Sequence, residues 1–189
     1  MKKYEFTGET KEIRLLFRTA TLHRIRATVA FGIVEVGDLG GWIEKEENLS
    51  HEGKAWVCGD AKVWGNAEVC GDAEVCGDAK VWGNAEVCGD AKVWGNAEVC
   101  GDAEVFSASH VLVIGAIGSR NDFTTFYRDK DNEITVKCGC FLGKIDRFLE
   151  KVTQTHGDSK YALVYRAAVE VAKLQIDLSG EAPKDADEE

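Results

Sequence analysis

The sequence predicts a mainly β protein built around a left-handed parallel β-helix, with an N-terminal β cap and a small C-terminal α+β domain. A six-residue unit recurs eight times without a gap over residues 57–104. Valine returns at every sixth position, which excludes the periods of about 3.5 and 3.6 residues that helices require. Glycine followed by Asp or Asn punctuates every unit, as a turn between short strands requires. These observations predict a hexapeptide solenoid.

The repeat divides the chain into four predicted regions. Residues 1–50 form the N-terminal cap, 51–110 the β-helix, 111–178 the α+β domain, and 179–189 an acidic disordered tail. A cap is expected because the open strands at the end of a solenoid would otherwise aggregate. The cap is predicted to contain short strands at Tyr4–Phe6, Ile13–Phe17, Leu22–Ala27 and Ile33–Val36.

Each unit of the repeat reads as one short strand and one corner. In the run Ala-Glu-Val-Cys, Ala and Val share one side of the strand and are expected to point inward. Three units make one triangular coil, so residues 18 apart should stack at about 4.8 Å. Residues 58–75 and 76–93 differ at one position, which agrees with an 18-residue coil. A 12-residue unit also recurs at 88–99, so the duplication alone does not establish the coil length.

Stacking predicts outward columns of chemistry-bearing side chains. A glutamate column is assigned to the same face as two of the tryptophans, with Lys62, Lys80 and Glu98 on another face. Exposed, stacked tryptophans suggest contact with a partner or a second copy of the chain. The alternative is that the indoles merely ladder along the sheet. The candidate interface comprises Trp64, Trp82, Trp94, Glu68, Glu86 and Glu104.

Five of the seven cysteines occupy one position of the repeat. The favoured interpretation is free thiols in a reducing compartment. Oxidation of stacked neighbours, or a soft metal between them, is the alternative. Two thiolates leave a zinc shell incomplete, so neither a metal site nor a cofactor is predicted. The predicted columns are Cys58, Cys76 and Trp94; Trp64, Trp82 and Cys100; and Cys70 with Cys88.

The C-terminal domain is predicted to contain three strands and two helices. The strands are His110–Ile114, Phe123–Arg128 and Glu133–Cys138, the last two joined as a hairpin across residues 129–132. Helical spacing begins at Ile145 and stops at Gly157. Asp158 or Ser159 can cap the second helix. The apolar face predicted for it comprises Tyr161, Val164, Tyr165, Ala168, Val171 and Ala172.

A polar cluster between the first two of these strands has two interpretations. The favoured one is a turn whose Asn and Asp side chains bond their own backbone. The other is a small-ligand or anion site made by backbone N–H groups and Arg120. The residues concerned are Ser119, Arg120, Asn121, Thr124 and Thr125.

The repeat resembles the hexapeptide-repeat family, whose motif is an aliphatic residue followed four positions later by a small one. Val57 with Ala61 is the first of the pairs that match it, and Val99 with Ala103 the last. The variant Val-x-Gly-Asn/Asp-Ala also resembles the solenoid of YdcK-type proteins, over roughly residues 20–110. Gly40-Gly41-Trp42-Ile43-Glu44 and Asn48-Leu49-Ser50 are similar to the first segment of that solenoid.

Segments of the C-terminal domain resemble uncharacterised phage and prophage proteins. They cover residues 114–122, 124–127, 138–141 and 155–158. This resemblance implies a phage-encoded accessory protein and brings no established activity with it.

Charge and histidine placement narrow the function classes. The net charge is −10, and residues 57–104 hold five Asp and five Glu against three Lys, a net −7. This balance argues against direct nucleic-acid binding, which needs a basic face. Hexapeptide-repeat acyltransferases and zinc carbonic anhydrases depend on histidines near the solenoid. The four histidines here, His23, His51, His110 and His156, all lie outside residues 57–104.

The sequence therefore predicts a non-enzymatic, self-associating interaction protein, dimeric or trimeric, that binds or inhibits a host protein. The sequence contains no apolar run of about 18 residues and no apolar segment after Met1, so we expect no membrane contact. We expect a cytoplasmic location, which is the host cytoplasm if the chain is phage-encoded. An acyltransferase-like enzyme and a ligand-binding C-terminal domain around Arg120 are the alternatives.

Overall fold

The N-terminal cap is a long hairpin that continues into the solenoid. The computed structural model describes residues 2–179. Its first strands are β1 (Tyr4–Arg14), β2 (Thr19–Ala27) and β3 (Leu39–Ile43). The strands predicted at Tyr4–Phe6 and Ile13–Phe17 are therefore parts of one strand that ends at Arg14. No strand forms at Ile33–Val36 in the described chain, where Phe31 and Val34 make only an isolated bridge.

Two-residue strands then recur every six residues and build a parallel β-solenoid. They are β4 (Trp56–Val57), β5 (Lys62–Val63), β6 (Glu68–Val69), β7 (Glu74–Val75), β8 (Lys80–Val81), β9 (Glu86–Val87), β10 (Lys92–Val93), β11 (Glu98–Val99) and β12 (Glu104–Val105). Each pairs in parallel with the strand 18 residues away, as Lys62 does with Lys80. The predicted 18-residue stacking is confirmed.

The solenoid has three sheets, which we name by the outward residues of their strands. The lysine face joins β3, β5, β8 and β11, and carries Lys62, Lys80 and Glu98. The mixed face joins β4, β7 and β10, and carries Glu74 and Lys92. The glutamate face joins β6, β9 and β12, and carries Glu68, Glu86 and Glu104.

Valine and alanine ladders fill the interior, as the alternation predicts. The repeat valines from Val57 to Val105 have no exposed surface, and the alanines from Ala61 to Ala103 at most 1%. Burial of a valine side chain contributes about 1.5 kcal/mol or more, and the contribution repeats with every unit. Backbone bonds such as Lys62 N–H to the Ala79 carbonyl, 2.9 Å, join the coils. The repeat therefore explains the solenoid's stability without reference to function.

Lys3 lies at the N-terminal end of the solenoid, against its first coil, and is only 3% exposed. Its Nζ donates to the carbonyls of Ala55 at 2.8 Å and Glu52 at 3.2 Å. Burial lowers the pKa of this ammonium to about 8. The carbonyl dipoles, the Phe31 ring 5.0 Å away and the charges of Asp72 and Glu52 all favour the charged form, but the cost of burial outweighs them and the pKa falls.

This lowered pKa predicts a pH-dependent stability. Between pH 8 and about 10.5 the unfolded chain binds more protons at Lys3 than the folded chain, so the free energy of unfolding rises with pH. We expect a rise on the order of 1 kcal/mol between pH 8 and 9.5 in urea titrations. Lys3→Met should flatten it, whereas Lys2→Met, at an exposed position, should not. A slope unchanged by Lys3→Met would contradict the assignment.

The C-terminal unit is a four-stranded antiparallel sheet with two helices on one side. Its elements are β13 (Val111–Ile117), β14 (Asp122–Arg128), β15 (Ile134–Cys138), β16 (Phe141–Lys144), α1 (Ile145–His156) and α2 (Lys160–Gln175). The antiparallel pairing of β14 with β15 matches the predicted hairpin. The prediction of three strands missed β16, which is only four residues long and follows a tight Gly139-Cys140 turn.

The two sides of this sheet face different cores. Tyr127 packs on the end of the solenoid, and its hydroxyl donates to the Cys100 carbonyl at 2.9 Å. The preceding residue, Phe126, faces the helices and packs edge-on against Phe148, with ring centroids 6.4 Å apart. The sheet therefore covers the last coil and supports the helices at once. Of the predicted tail, residues 180–189 lie outside the described chain.

The face that α2 buries differs from the predicted one. Tyr165, Ala168 and Ala172 are buried as expected, together with Ala162 and Val169. Val164 and Val171 are 40% and 48% exposed, so their assignment to the buried face is wrong. The helix is apolar around most of its circumference, and periodicity alone could not select the side that packs.

Candidate functional sites

Of the two stacked tryptophans, Trp64 lies under the N-terminal hairpin and Trp82 is partly buried beside it. Trp64 and Trp82 stack with ring centroids 5.0 Å apart and nearly parallel planes, as predicted. However, Trp64 is only 7% exposed, because it packs with Leu22 and Trp42. The prediction of exposed indoles is wrong for Trp64. Its cover comes from residues 42 and 22 positions earlier in the chain, whose pairing no local pattern reveals.

Trp94 is separate from this pair. It lies on the mixed face, in the predicted column above Cys76, and is 49% exposed. The Lys92 ammonium lies over its ring, 5.1 Å from the centroid. The three tryptophans therefore do not form one surface.

The predicted glutamate column exists, but on a different face from the tryptophan pair. Glu68 pairs in register with Glu86, and Glu86 with Glu104. Trp64 belongs to the lysine face, because the Gly65-Asn66 corner intervenes between Trp64 and Glu68. Their assignment to one face was therefore wrong. Within the repeat, a glutamate shares its side with the residue two positions after it, not four before it.

Acidic residues also occupy the corners that bound the glutamate face. Asn66, Asn84 and Asp102 form a ladder along one corner, with amide donations of 3.2 and 3.0 Å. Asp72 and Asp90 occupy the other corner. Two lysines reach these corners: Lys54 pairs with Asp72 at 3.1 Å, and Lys130 pairs with Asp102 at 3.0 Å. None of β6, β9 and β12 contains a cation.

Two predicted cysteine pairs are disulfide-bonded in the structure. The pairs are Cys58–Cys76 and Cys70–Cys88, with Cα atoms 4.7 and 4.5 Å apart. The preferred interpretation as free thiols is therefore wrong for these four, since stacking alone brings column neighbours within bonding range. Cys100 remains free because Trp82 stands in the same column one coil earlier. Residues 2–179 contain no group of three or more candidate metal ligands.

A polar cleft separates the lysine face from the C-terminal sheet. Its volume is about 500 Å³, and Glu98 on its floor pairs with Lys80 at 2.8 Å and Lys137 at 3.0 Å. Burial opposes ionisation of Glu98, but the hydrogen bonds from these two lysines outweigh it and lower its pKa. Burial, with repulsion from Lys11, also lowers the pKa of Lys62. The Glu98–Lys137 pair joins the C-terminal sheet to the solenoid, and the Lys80–Glu98 pair joins two neighbouring coils.

The predicted polar cluster divides between a turn and a strand. Ser119, Arg120 and Asn121 occupy the turn between β13 and β14, where Asn121 has φ +52°. Thr124 and Thr125 are buried in β14. Thr124 Oγ1 donates to Cys138 Sγ at 3.3 Å, and Thr125 Oγ1 accepts from the Glu98 N–H at 3.0 Å. The two threonines are thus engaged in packing, and Arg120 is left as the accessible cation.

Arg120 borders a pocket of about 220 Å³ between the sheet and α1. The guanidinium lies close to the β15–β16 turn, since a Cβ on Gly139 would stand 3.3 Å from its Nη1. Aromatic and apolar groups make the floor, with Lys151 and His156 on the far wall. The lining residues are Ser119, Arg120, Asp122, Cys138, Gly139, Cys140, Phe141, Phe148, Lys151, Val152, Thr155, His156 and Tyr165.

The pocket's inner end is closed by Tyr165. His156 stacks on the Tyr165 ring with centroids 5.8 Å apart, and the Tyr165 hydroxyl lies 4.0 Å from Cys138 Sγ. Burial, reinforced by this thiol, raises the pKa of Tyr165 to about 12, so the phenol stays neutral. Gly118 is required beside it, because a Cβ there would lie 1.9 Å from the tyrosine hydroxyl. The sequence did not reveal that Lys151 or Tyr165 shares a site with Arg120.

The histidines nearest the solenoid ends are both used in packing. His110 is buried, and its Nδ1 accepts from the Phe106 N–H at 3.1 Å. His51 stacks on Tyr4 at 4.3 Å and accepts from the Lys3 N–H at 3.1 Å. Burial lowers the pKa of each imidazole.

Comparison with known proteins leaves the site geometry as the guide to function. No protein-family model matches the chain, and no curated protein is similar to it. None of the helices within residues 2–179 has the length and apolar character needed to cross a membrane.

Proposed function

We propose that this protein is a non-enzymatic interaction protein that binds a host protein through the glutamate face, with the C-terminal unit as a second contact. The proposal takes the solenoid to be a left-handed β-helix of the hexapeptide type. It also takes the chain to be a phage or prophage accessory protein acting in the host cytoplasm, as the resemblances imply.

The glutamate column supports this proposal most strongly. Stacked coils place three carboxylates in line on a sheet whose interior is close-packed, so their spacing cannot relax. Neither Glu68 nor Glu104 forms an ion pair with another residue of the described chain. Carboxylates in line repel each other, which disfavours the isolated protein. A basic partner would relieve this repulsion and would be steered to the face by its charge.

Charge removal on this face tests the proposal. The triple variant Glu68→Gln, Glu86→Gln, Glu104→Gln and the wild type are immobilised, and proteins captured from a host lysate are quantified. We expect a stoichiometric protein on the wild type that falls at least tenfold on the variant and is released by 0.5 M salt. The matched control, Glu9→Gln, Glu12→Gln, Glu35→Gln, changes the net charge equally and should retain it. Equal recovery on all three proteins, or no capture, would contradict the proposal.

Ligand binding by the C-terminal pocket is a second candidate function. Arg120 and Lys151 face one pocket, and neither forms an ion pair with a described residue. Between them lies an aromatic floor that includes Phe141, Phe148 and Tyr165. This pairing of two cations with an apolar floor suits a small anion that carries an aromatic or apolar group.

Phenyl phosphate is a suitable probe for this pocket. We expect it to bind, inorganic phosphate to bind more weakly, and Arg120→Ala to weaken phenyl phosphate binding about tenfold, the effect of losing one charge-assisted hydrogen bond. Isothermal titration calorimetry measures the affinities. Arg147→Ala, on the same helix as Lys151 but outside the pocket, serves as the control. An Arg120→Ala protein that binds as tightly as wild type would remove this candidate.

An acyltransferase-like activity has less support. Transferases with this repeat offer a histidine base to the substrate at the solenoid edge, whereas His110 is buried against Phe106. His51 is held between Tyr4 and the Lys3 backbone. Neither is placed to take a proton from a substrate hydroxyl or amine.

A further inference from the structure

Helix α2 exposes an apolar stripe on the side opposite its buried face. Leu163 is 59% exposed and Leu174 89% exposed, at opposite ends of the helix. Val164, Ala167 and Val171 lie between them and are also exposed. We name these five residues the α2 stripe. A surface helix of a monomer normally carries polar residues on this side, so the stripe indicates a contact.

The residues that the structure describes, 2–179, leave the α2 stripe exposed. Residues 180–189, GEAPKDADEE, contain only Ala182, Pro183 and Ala186 as apolar side chains, among five acidic groups. Met1 is the one other residue outside the described range. A segment of this composition cannot bury two leucines and two valines.

We propose that a second copy of the chain covers the stripe, with the two α2 helices antiparallel about a two-fold axis near Ala167. The stripe is nearly symmetric about residue 168, the next position. Leu163 and Leu174 lie five and six residues from it along the sequence, and Val164 and Val171 lie four and three residues from it. An antiparallel pair therefore sets Leu163 against the partner's Leu174 and Val164 against the partner's Val171. Ala167 meets its own counterpart, where a small side chain lets the helices approach closely.

The charges beside the stripe select the antiparallel direction. Arg166 and Glu170 lie on the same flank, one turn apart. In an antiparallel pair like flanks face each other, so Arg166 of each copy stands opposite Glu170 of the other. A parallel pair would instead set this flank against the opposite one, where Tyr161 and Gln175 offer no charge. Within one copy, Arg166 Nη2 donates to Thr153 Oγ1 and to the Gly157 carbonyl, each at 3.3 Å, and Glu170 accepts from Lys173 at 3.0 Å. Other guanidinium N–H groups of Arg166 and the second carboxylate oxygen of Glu170 are left for the partner.

Sedimentation equilibrium in 0.5 M salt tests the dimer, since screening then suppresses association driven only by charge. We expect twice the chain mass of 20.7 kDa for the wild type. Leu174→Glu should weaken dimerisation at least tenfold without changing the melting temperature of the monomer, because the side chain is exposed. Leu142→Glu, at an exposed position on β16 outside the stripe, should remain dimeric. A monomeric wild type, or a dimeric Leu174→Glu, would overturn the proposal.

A charge swap, measured at low salt, tests the two-fold arrangement. Arg166→Glu and Glu170→Arg should each weaken the dimer, because each places like charges opposite one another. The double variant restores both pairs across the axis and should recover affinity. Failure of the double variant to recover, while both single variants lose affinity and all remain folded by circular dichroism, would overturn the antiparallel arrangement.

Discussion

Replacing Gly83 by alanine should lower the free energy of unfolding by about 2 to 5 kcal/mol. Gly83 has φ +82°, a conformation that costs an alanine about 1 to 2 kcal/mol. In addition, its Cβ would lie 2.8 Å from the Gly101 nitrogen of the next coil. Relief of that overlap must push the coils apart and lengthen bonds such as Asn84 N–H to the Gly101 carbonyl, now 2.8 Å. Overpacking of this kind adds about 1 to 3 kcal/mol.

Gly101→Ala is the matched control for this prediction. Gly101 has φ +71°, yet a Cβ there would meet no atom within 4 Å. Only the conformational strain should appear, about 1 to 2 kcal/mol. Urea denaturation followed by circular dichroism gives both values. Equal losses in the two variants would show that contact between glycines does not set the distance between coils.

Removal of the two disulfides should have the next largest effect. Each joins cysteines 18 residues apart. The loop-entropy model assigns a cross-link of this length about 3 kcal/mol, through restriction of the unfolded chain. We expect the paired replacements Cys58→Ser with Cys76→Ser, and Cys70→Ser with Cys88→Ser, each to lower the free energy of unfolding by about 2 to 3 kcal/mol. Reductant should have a similar effect on the oxidised wild type.

The exposed free thiol Cys140 provides the control, and Cys140→Ser should leave the unfolding transition in place. Mass spectrometry after alkylation measures whether the bonds are present before denaturation. Four alkylated repeat cysteines in the native protein, with no effect of reductant on stability, would mean that the coils are held by hydrogen bonds and the valine ladders alone.

The division between α2's two sides illustrates what sequence patterns cannot decide. Val164 and Tyr165 are adjacent and both apolar, yet Tyr165 closes the pocket and Val164 is exposed. The packing of α2 against α1 made that choice, since the Tyr165 ring packs edge-on against Phe148 of α1 with centroids 5.5 Å apart. The pocket around Arg120 was likewise only half predictable. The turn was evident from Gly118 and Asn121, but the opposing Lys151 comes from a helix that follows later in the chain.

The repeat by itself determined the inward valine and alanine ladders, the 18-residue stacking and the columns of cysteine and glutamate. These features depend only on alternation along a strand and on identical units placed above one another, so a period read from the chain is sufficient. Tertiary structure alone decided which columns remain exposed. The hairpin covers Trp64 because β2 pairs with β3, and the C-terminal sheet covers Cys100 because Tyr127 packs on the last coil. Both contacts join residues that are distant in sequence. The free energy that selects them comes from the surface buried between the two segments, not from either segment alone.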